Sequence, residues 1–236
     1  MSAMPQIYPV IHHLDKATTL AQARLAQDAG ADGVFLISHN GKDTELLEII
    51  HVIQKAHPGL RVGINLLQST PIAAVSIAAI YGAEMAWIDT AGVSGASPTA
   101  RQLAAHVQEM PDAARPEVFV GVAFKYQPLE PNPSAAACNA LSLGFIPTTS
   151  GPATGMAPEV EKIQRMSKAT GGRLAVASGM DLKNVHLFAP HLSHILVATG
   201  VSLDEHRFDF ERLSAFIARA RMAVVVADAK TEPSSA

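Results

Sequence analysis

Residues 117–125, EVFVGVAFK, carry the reading of the fold. From Val118 to Phe124 the run is apolar at odd and even positions alike. Side chains alternate between the two faces of a strand, so apolarity at both parities means that both faces are buried. A one-sided antiparallel sheet is disfavoured, because it would leave polar residues at every second position.

Seven more short apolar runs accompany it: Ile7–His12, Gly33–His39, Arg61–Leu67, Glu84–Asp89, Gly144–Thr149, Arg173–Ser178 and His194–Thr199. With Glu117–Lys125 they make eight candidate strands, whose starts lie roughly 20 to 35 residues apart. That interval suits strand, loop, helix and loop, and hence a parallel sheet with helical crossovers. The segments between them agree. Ala17–Ala29 sets Leu20, Ala23, Leu25 and Ala26 near a 3.6-residue period, and Thr44–Ala56 does the same with Leu46, Leu47, Ile50 and Ile53. Gly30, Gly82 and Gly144 each stand just before a new run, where a helix needs a left-handed cap.

Eight βα units closing on themselves give a single (β/α)₈ TIM barrel. A doubly wound open sheet is the rival, but the first turn, "HHLDKAT" at 12–18, has no glycine fingerprint. The barrel is expected to occupy residues 1–222, followed by a frayed tail at 223–236. A chain of 236 residues with 48% hydrophobic and 17% charged residues suits one large buried core.

A net charge of −3 with no basic stripe argues against a nucleic-acid partner. No apolar stretch reaches the roughly 18 residues that a bilayer span needs, so membrane insertion is not expected. Cys138 is the single cysteine, and the N-terminus lacks the basic start and apolar run of a secretory signal, which makes the cytoplasm the expected location.

In a TIM barrel the reacting groups sit at the carboxyl ends of the strands. Here those ends read His12 and His13, His39 and Asn40, Asn65, Asp89 and Thr90, Lys125, Thr148–Ser150, Ser178 and Thr199. Lys125 is the only lysine in a candidate strand; among apolar walls it would act as nucleophile, base or Schiff-base former, or else pair with Asp89 on the neighbouring strand. Asp89 suits a general base, a ligand anchor or that counter-ion. His39 and His12 suit proton transfer, His13 points to the opposite face from His12, and Asn65 suits orientation of a substrate oxygen. A metal held by His12, His39 and Asp89 has no supporting spacing, so neither metal nor cofactor is expected. Trp87 shares the face of Asp89 and reads as a core layer or the pocket floor.

Three glycine-rich turns close the pattern: "TSGPATG" at 149–155, "ASGM" at 177–180 and "ATG" at 198–200. Thr149, Ser150, Gly151, Gly155, Ser178, Gly179, Thr199 and Gly200 are where backbone N–H groups would cradle phosphate oxygens. Tight strand-to-helix turns would need the same residues.

Several stretches resemble the BtpA/SgcQ family of predicted TIM-barrel enzymes, related to ribulose-phosphate-binding barrels. They are "GADGVFLIS" (30–38), "VGINLLQSTPIAAVSIAAIYGAEMAWID" (62–89), "TTSGPATGMAPEVEKIQRM" (148–166), "AVASGMDLKNV" (175–185) and "FDFERLSAFIARA" (208–220). The resemblance implies an oligomeric barrel with a phosphate pocket at the last three loops, formed with Asn65, Ser150, Gly151, Gly155, Ser178 and Gly179. "VIHHLDKATTLAQA", "ISHNG", "WIDTAGVSG" and "AFKYQP" depart from the family pattern, so a divergent subgroup with a rebuilt reacting end is implied. The expected activity is isomerase or lyase-type proton transfer or carbonyl chemistry on a small phosphorylated molecule. Phosphoribosyl or glycosyl transfer and a non-catalytic BtpA-like assembly role stay open as alternatives. A homo-oligomer is raised by the fold and by the apolar face at Ile72–Ala78, which packing on the barrel would equally explain.

Overall fold

Glu117–Gly121 (β5) lies between two parallel neighbours, Met85–Ile88 (β4) and Ile146–Thr149 (β6), in the computed structural model, which describes residues 4–95 and 97–231. The remaining strands are Gln6–His12 (β1), Gly33–Ile37 (β2), Arg61–Asn65 (β3), Ala175–Ala177 (β7) and His194–Val197 (β8). β8 pairs with β1, and the eight parallel strands close into one (β/α)₈ barrel. Around it stand Lys16–Asp28 (α1), Asp43–Ala56 (α2), Pro71–Ile80 (α3), Pro98–Glu109 (α4), Pro133–Ser142 (α5), Val160–Ala169 (α6), Val185–Phe188 (α7) and Phe210–Thr231 (α8).

The helix boundaries follow from local chemistry. Thr70, Ser97 and Asn132 each accept the N–H three residues on, and each is followed by proline at the first helical position. At the other ends Gly30, Gly82 and Gly144 take φ of 88°, 70° and 86°. The N–H after each glycine then reaches back to a helix carbonyl: Ala31 to Ala26, Ala83 to Ala78, and Phe145 to Ala140. This is the cap expected from the sequence.

The barrel interior is aromatic. Tyr8, Phe35, Trp87 and Phe119 fill it with edge-to-face contacts, and His194 stacks on Tyr8 at 5.8 Å. Gly63 leaves the space that Phe35 occupies, since a Cβ there would lie 2.5 Å from the ring. At the amino ends of the strands Arg61 pairs with Glu117 at 3.0 Å and donates to the Tyr8 hydroxyl at 3.0 Å. A second apolar layer, including Leu36, Ile50 and Val62, packs the strands against the helices.

Most strands are shorter than the apolar runs. β2 stops at Ile37, not His39, β3 at Asn65, not Leu67, and β5 at Gly121, not Lys125. Burial past the strand ends is mixed: Val122 and Phe124 are 0% and 7% exposed, with Val122 N still donating to Thr148 O at 2.9 Å, whereas Leu67 is 41% exposed. At the other end of the chain α8 continues past Arg221 to Thr231, with Val224 packed in the core, so the boundary expected at 222 falls inside a helix. The last part of the expected tail, 232–236, lies outside the described residues.

Candidate active site

The carboxyl ends of the strands surround a cavity of about 440 Å³. Its walls include His12, His39, Asn65, Asp89 and Lys125 on one side, and Gly155, Ser178, Gly179, Thr199 and Gly200 on the other. Thr149, Ser150 and Gly151 stand outside that lining. Thr149 and Ser150 are 0% exposed, and a Cβ on Gly151 would meet the Met156 carbonyl oxygen at 2.0 Å. The first part of the "TSGPATG" turn is thus packed beneath the loop, and its end, Gly155, reaches the cavity.

Asn65 ends β3 and Asp89 follows β4, and their side chains meet: Asn65 Nδ2 donates to Asp89 Oδ1 at 3.2 Å. Burial raises the Asp89 pKa above the ordinary carboxylate range, opposed by the Asn65 hydrogen bond and by the charges of Lys125 and His39. A second cavity of about 160 Å³ lies between the loops after β3 and β4, and Asn65, Leu67, Trp87 and Asp89 line both spaces.

His12 and His39 pack edge to face with ring centroids 5.0 Å apart. Burial first, and the neighbouring His39 second, lower the His12 pKa from 6.5 to about 4, so its imidazole is neutral near pH 7. Its Nδ1 is buried with no hydrogen-bond partner. His13 turns away, as its parity implies: it is 2% exposed, with Nδ1 2.8 Å from Thr19 Oγ1 and Nε2 3.1 Å from Glu45 Oε2. That histidine ties the end of β1 to α1 and α2. Among the described residues, no three His, Cys, Asp or Glu side chains are grouped to hold a metal ion.

Lys125 differs from its strand reading. β5 ends at Gly121, and Ala123 and Tyr126 adopt left-handed φ of 47° and 65°, which turns the chain out of the sheet. Lys125 therefore stands in a loop and not in the candidate strand. Lys125 Nζ donates to Thr154 Oγ1 at 3.1 Å, and not to Asp89, the ion-pair partner that the sequence offered as an alternative. The loop is pinned from four directions. Ala123 O accepts from Thr149 Oγ1 and from Lys162 Nζ, Lys125 N donates to Ser150 Oγ, and Gln127 Nε2 donates to Asp89 O at 2.5 Å.

The glycine turns pack against one another in series. A Cβ on Gly179 would lie 2.2 Å from Met156 O, and one on Gly200 would lie 2.0 Å from Met180 O. Gly155 N donates to Ser178 Oγ at 3.1 Å. Backbone from three consecutive loops is thus brought to one wall of the cavity, which accounts for these glycines whether or not an anion binds there.

Sequence reasoning missed Thr154, Gln127, Lys162 and His206. Lys162 sits on α6 and bonds both Ala123 O and Ser150 O at 2.9 Å, with its pKa lowered by burial. Its helix neighbours Glu161 and Gln164 are exposed, so no periodicity marks it. His206, in the loop between β8 and α8, lies with Nδ1 2.9 Å from His12 O. Its sole sequence signal is one more histidine.

The class that fold and cavity define is a TIM barrel with its opening at the carboxyl ends of the strands. Among solved structures the chain is similar to phosphoribosyl anthranilate isomerase from Thermus thermophilus, with TM-score 0.66, 17% identity, and 91% of this chain and 97% of that one covered. It is also similar to the native KDPGal structure, with TM-score 0.67, 16% identity and 95% and 100% covered. KGPDC from Streptococcus mutans gives 0.66, 14%, and 94% and 99%. At such identities the likeness is one of fold. No protein-family model and no curated protein sequence matches the chain. None of its described helices is long and apolar enough to cross a membrane.

Proposed function

We propose that this chain is an enzyme that moves a proton on a small phosphorylated metabolite, in an isomerase or lyase-type reaction. The observation that carries the reading is Asp89, a half-buried carboxylate held by Asn65, facing the same cavity as the turns after β7 and β8. The phosphate is assigned to the backbone of Ser178–Gly179 and Thr199–Gly200, with the Lys125 ammonium at the rim. The resemblance to BtpA/SgcQ proteins supports this end of the site. So does the fold shared with an isomerase whose name specifies a phosphoribosyl compound.

In this mechanism ionised Asp89 takes a proton from the carbon next to a substrate carbonyl. The C–H electron pair becomes a C=C bond as the carbonyl π pair moves to its oxygen, and the resulting enediolate is stabilised by hydrogen bonding. In the isomerase version protonated Asp89 returns the proton to the adjacent carbon, while the hydroxyl proton of the carbon first deprotonated passes to the former carbonyl oxygen, so that the two carbons exchange oxidation states. His12, neutral near pH 7, serves as a hydrogen-bonding group for the oxygen and not as an imidazolium. An imine on Lys125 has less support, because its ammonium hangs on Thr154 in the loop after β5.

The test is proton exchange: phosphorylated hydroxyketones and hydroxyaldehydes, with and without aryl groups, incubated with the protein in D₂O and followed by ¹H NMR. Enzyme-dependent deuteration next to the carbonyl, lost in Asp89→Asn, is expected. The reading fails if no compound exchanges or if exchange survives that substitution.

A further inference from the structure

The cavity floor has a chemistry of its own. Val10, Ile37, Trp87, Phe124 and Leu196 form it; they belong to the apolar interior of the barrel and are each at most 8% exposed. Trp87 and Phe124 meet edge to face, with ring centroids 5.9 Å apart and planes at 79°, and make an aromatic corner.

The free polar groups at the floor are few: Trp87 Nε1 and His12 Nδ1 are buried without a hydrogen-bond partner, and their neighbours already make bonds. The Asn65 amide donates to Asp89, Ser178 Oγ accepts from Gly155 N, and Lys125 Nζ donates to Thr154. A polyol bound here could pair hydroxyls with Trp87 Nε1 and His12 Nδ1, but its remaining hydroxyls would face hydrocarbon and lose their bonds to water without replacement. A flat apolar group would displace water from the same surface and gain edge-to-face contacts.

Building on the proposed phosphate site, we infer that the ligand is a phosphate monoester whose other end is apolar and planar, such as an aryl group, and is not a fully hydroxylated carbon chain. The phosphate end stays at the turns after β7 and β8. The planar end lies against Trp87 and Phe124, with Asp89 and His12 beside the bonds between the two ends.

Trp87 is the only tryptophan, so its fluorescence reads occupancy of the floor directly. The experiment titrates the full chain with phenyl phosphate, glycerol 3-phosphate and phenol, each with and without excess inorganic phosphate. Phenyl phosphate is expected to bind at least tenfold more tightly than glycerol 3-phosphate and to be displaced by inorganic phosphate. If glycerol 3-phosphate binds as tightly or more tightly, the inference is overturned and the phosphate site stands. Should phenyl phosphate bind no better than phenol and resist displacement, the phosphate site itself fails, and the inference with it. No fluorescence response to any of the three compounds has the same consequence.

Discussion

Asn65 Nδ2 donates to Asp89 Oδ1 across 3.2 Å, joining the carboxyl ends of two adjacent strands and fixing the carboxylate between two cavities. Burial raises the Asp89 pKa, so the ionised base is lost at a higher pH than for an exposed carboxylate. The acid limb of the pH–rate profile is therefore expected above the ordinary carboxylate range. Asp89→Asn is expected to lower turnover by roughly 10²- to 10⁴-fold, the usual weight of a general base. Phenyl phosphate binding measured by Trp87 fluorescence should survive. Loss of both at once would make Asp89 a scaffold residue.

The same shift fixes a stability prediction. A carboxyl whose folded pKa exceeds its unfolded value binds more protons when folded, so stability falls as pH rises from the unfolded pKa through the folded one. Asp89→Asn removes that term while keeping an acceptor for Asn65. The variant is expected to melt higher than wild type at pH 7 and to lose the advantage at pH 3, as followed by circular dichroism.

Gly179 and Gly155 separate conformational strain from steric clash. Both have φ of 77°, but a Cβ on Gly179 meets Met156 O at 2.2 Å, whereas nothing lies within 4 Å of one on Gly155. Gly155→Ala is expected to cost about 1 kcal/mol, the left-handed penalty alone. Gly179→Ala adds displacement of the loop after β6 and is expected to cost roughly 3 kcal/mol. Urea denaturation of the two variants decides; equal losses would mean that the close packing of the turns contributes nothing.

The barrel was legible from 118–124 because burial on both faces of a strand is written directly in the residues. Where each strand stops was not, since Val122 and Phe124 are as apolar as the paired residues before them and are buried in a loop. That ambiguity moved Lys125 into a strand and raised Asp89 as an alternative partner for it. His12, His39, Asn65 and Asp89 were readable because they stand at or just past true strand ends, where parity still governs direction. Thr149, Ser150 and Gly151 carry the composition of an anion cradle, but the packing of Met156 and Ala157 over Gly151 places them below the surface. Lys162 left no trace, because a lysine near the start of a surface helix looks the same whether it faces water or two carbonyls.

Lys162 holds the loops after β5 and β6 together through Ala123 O and Ser150 O. Lys162→Met leaves both carbonyls without this donor and is expected to cost about 1–3 kcal/mol in urea denaturation. It should also weaken phenyl phosphate binding, since Lys125 and Thr154 lie on the loops it fastens. Lys162→Arg keeps a cation and is expected to recover part of both losses. A Met variant with wild-type stability and affinity would show the loops to be held by Gln127, Thr149 and Ser150 without Lys162.

His194 gives the barrel an acid-sensitive floor at the opposite end from the cavity. It is 8% exposed, stacks on Tyr8, and has its pKa lowered by burial from 6.5 to about 4. Between those values the unfolded chain binds a proton that the folded chain refuses, so stability falls as pH drops from about 6.5 to about 4 and levels below that. Two and a half units correspond to roughly 3 kcal/mol for this residue. His12, shifted to about 4 as well, adds loss of the same sign over the same window. His194→Gln gives up the stacking on Tyr8, so its stability at pH 7 is expected to be lower, but the slope of unfolding free energy against pH from 6.5 to 4 should flatten. Denaturation in urea at half-unit steps measures that slope. An unchanged slope would mean that His194 is protonated in the folded barrel as readily as in the unfolded chain, and acid sensitivity would then rest on His12 and the site itself.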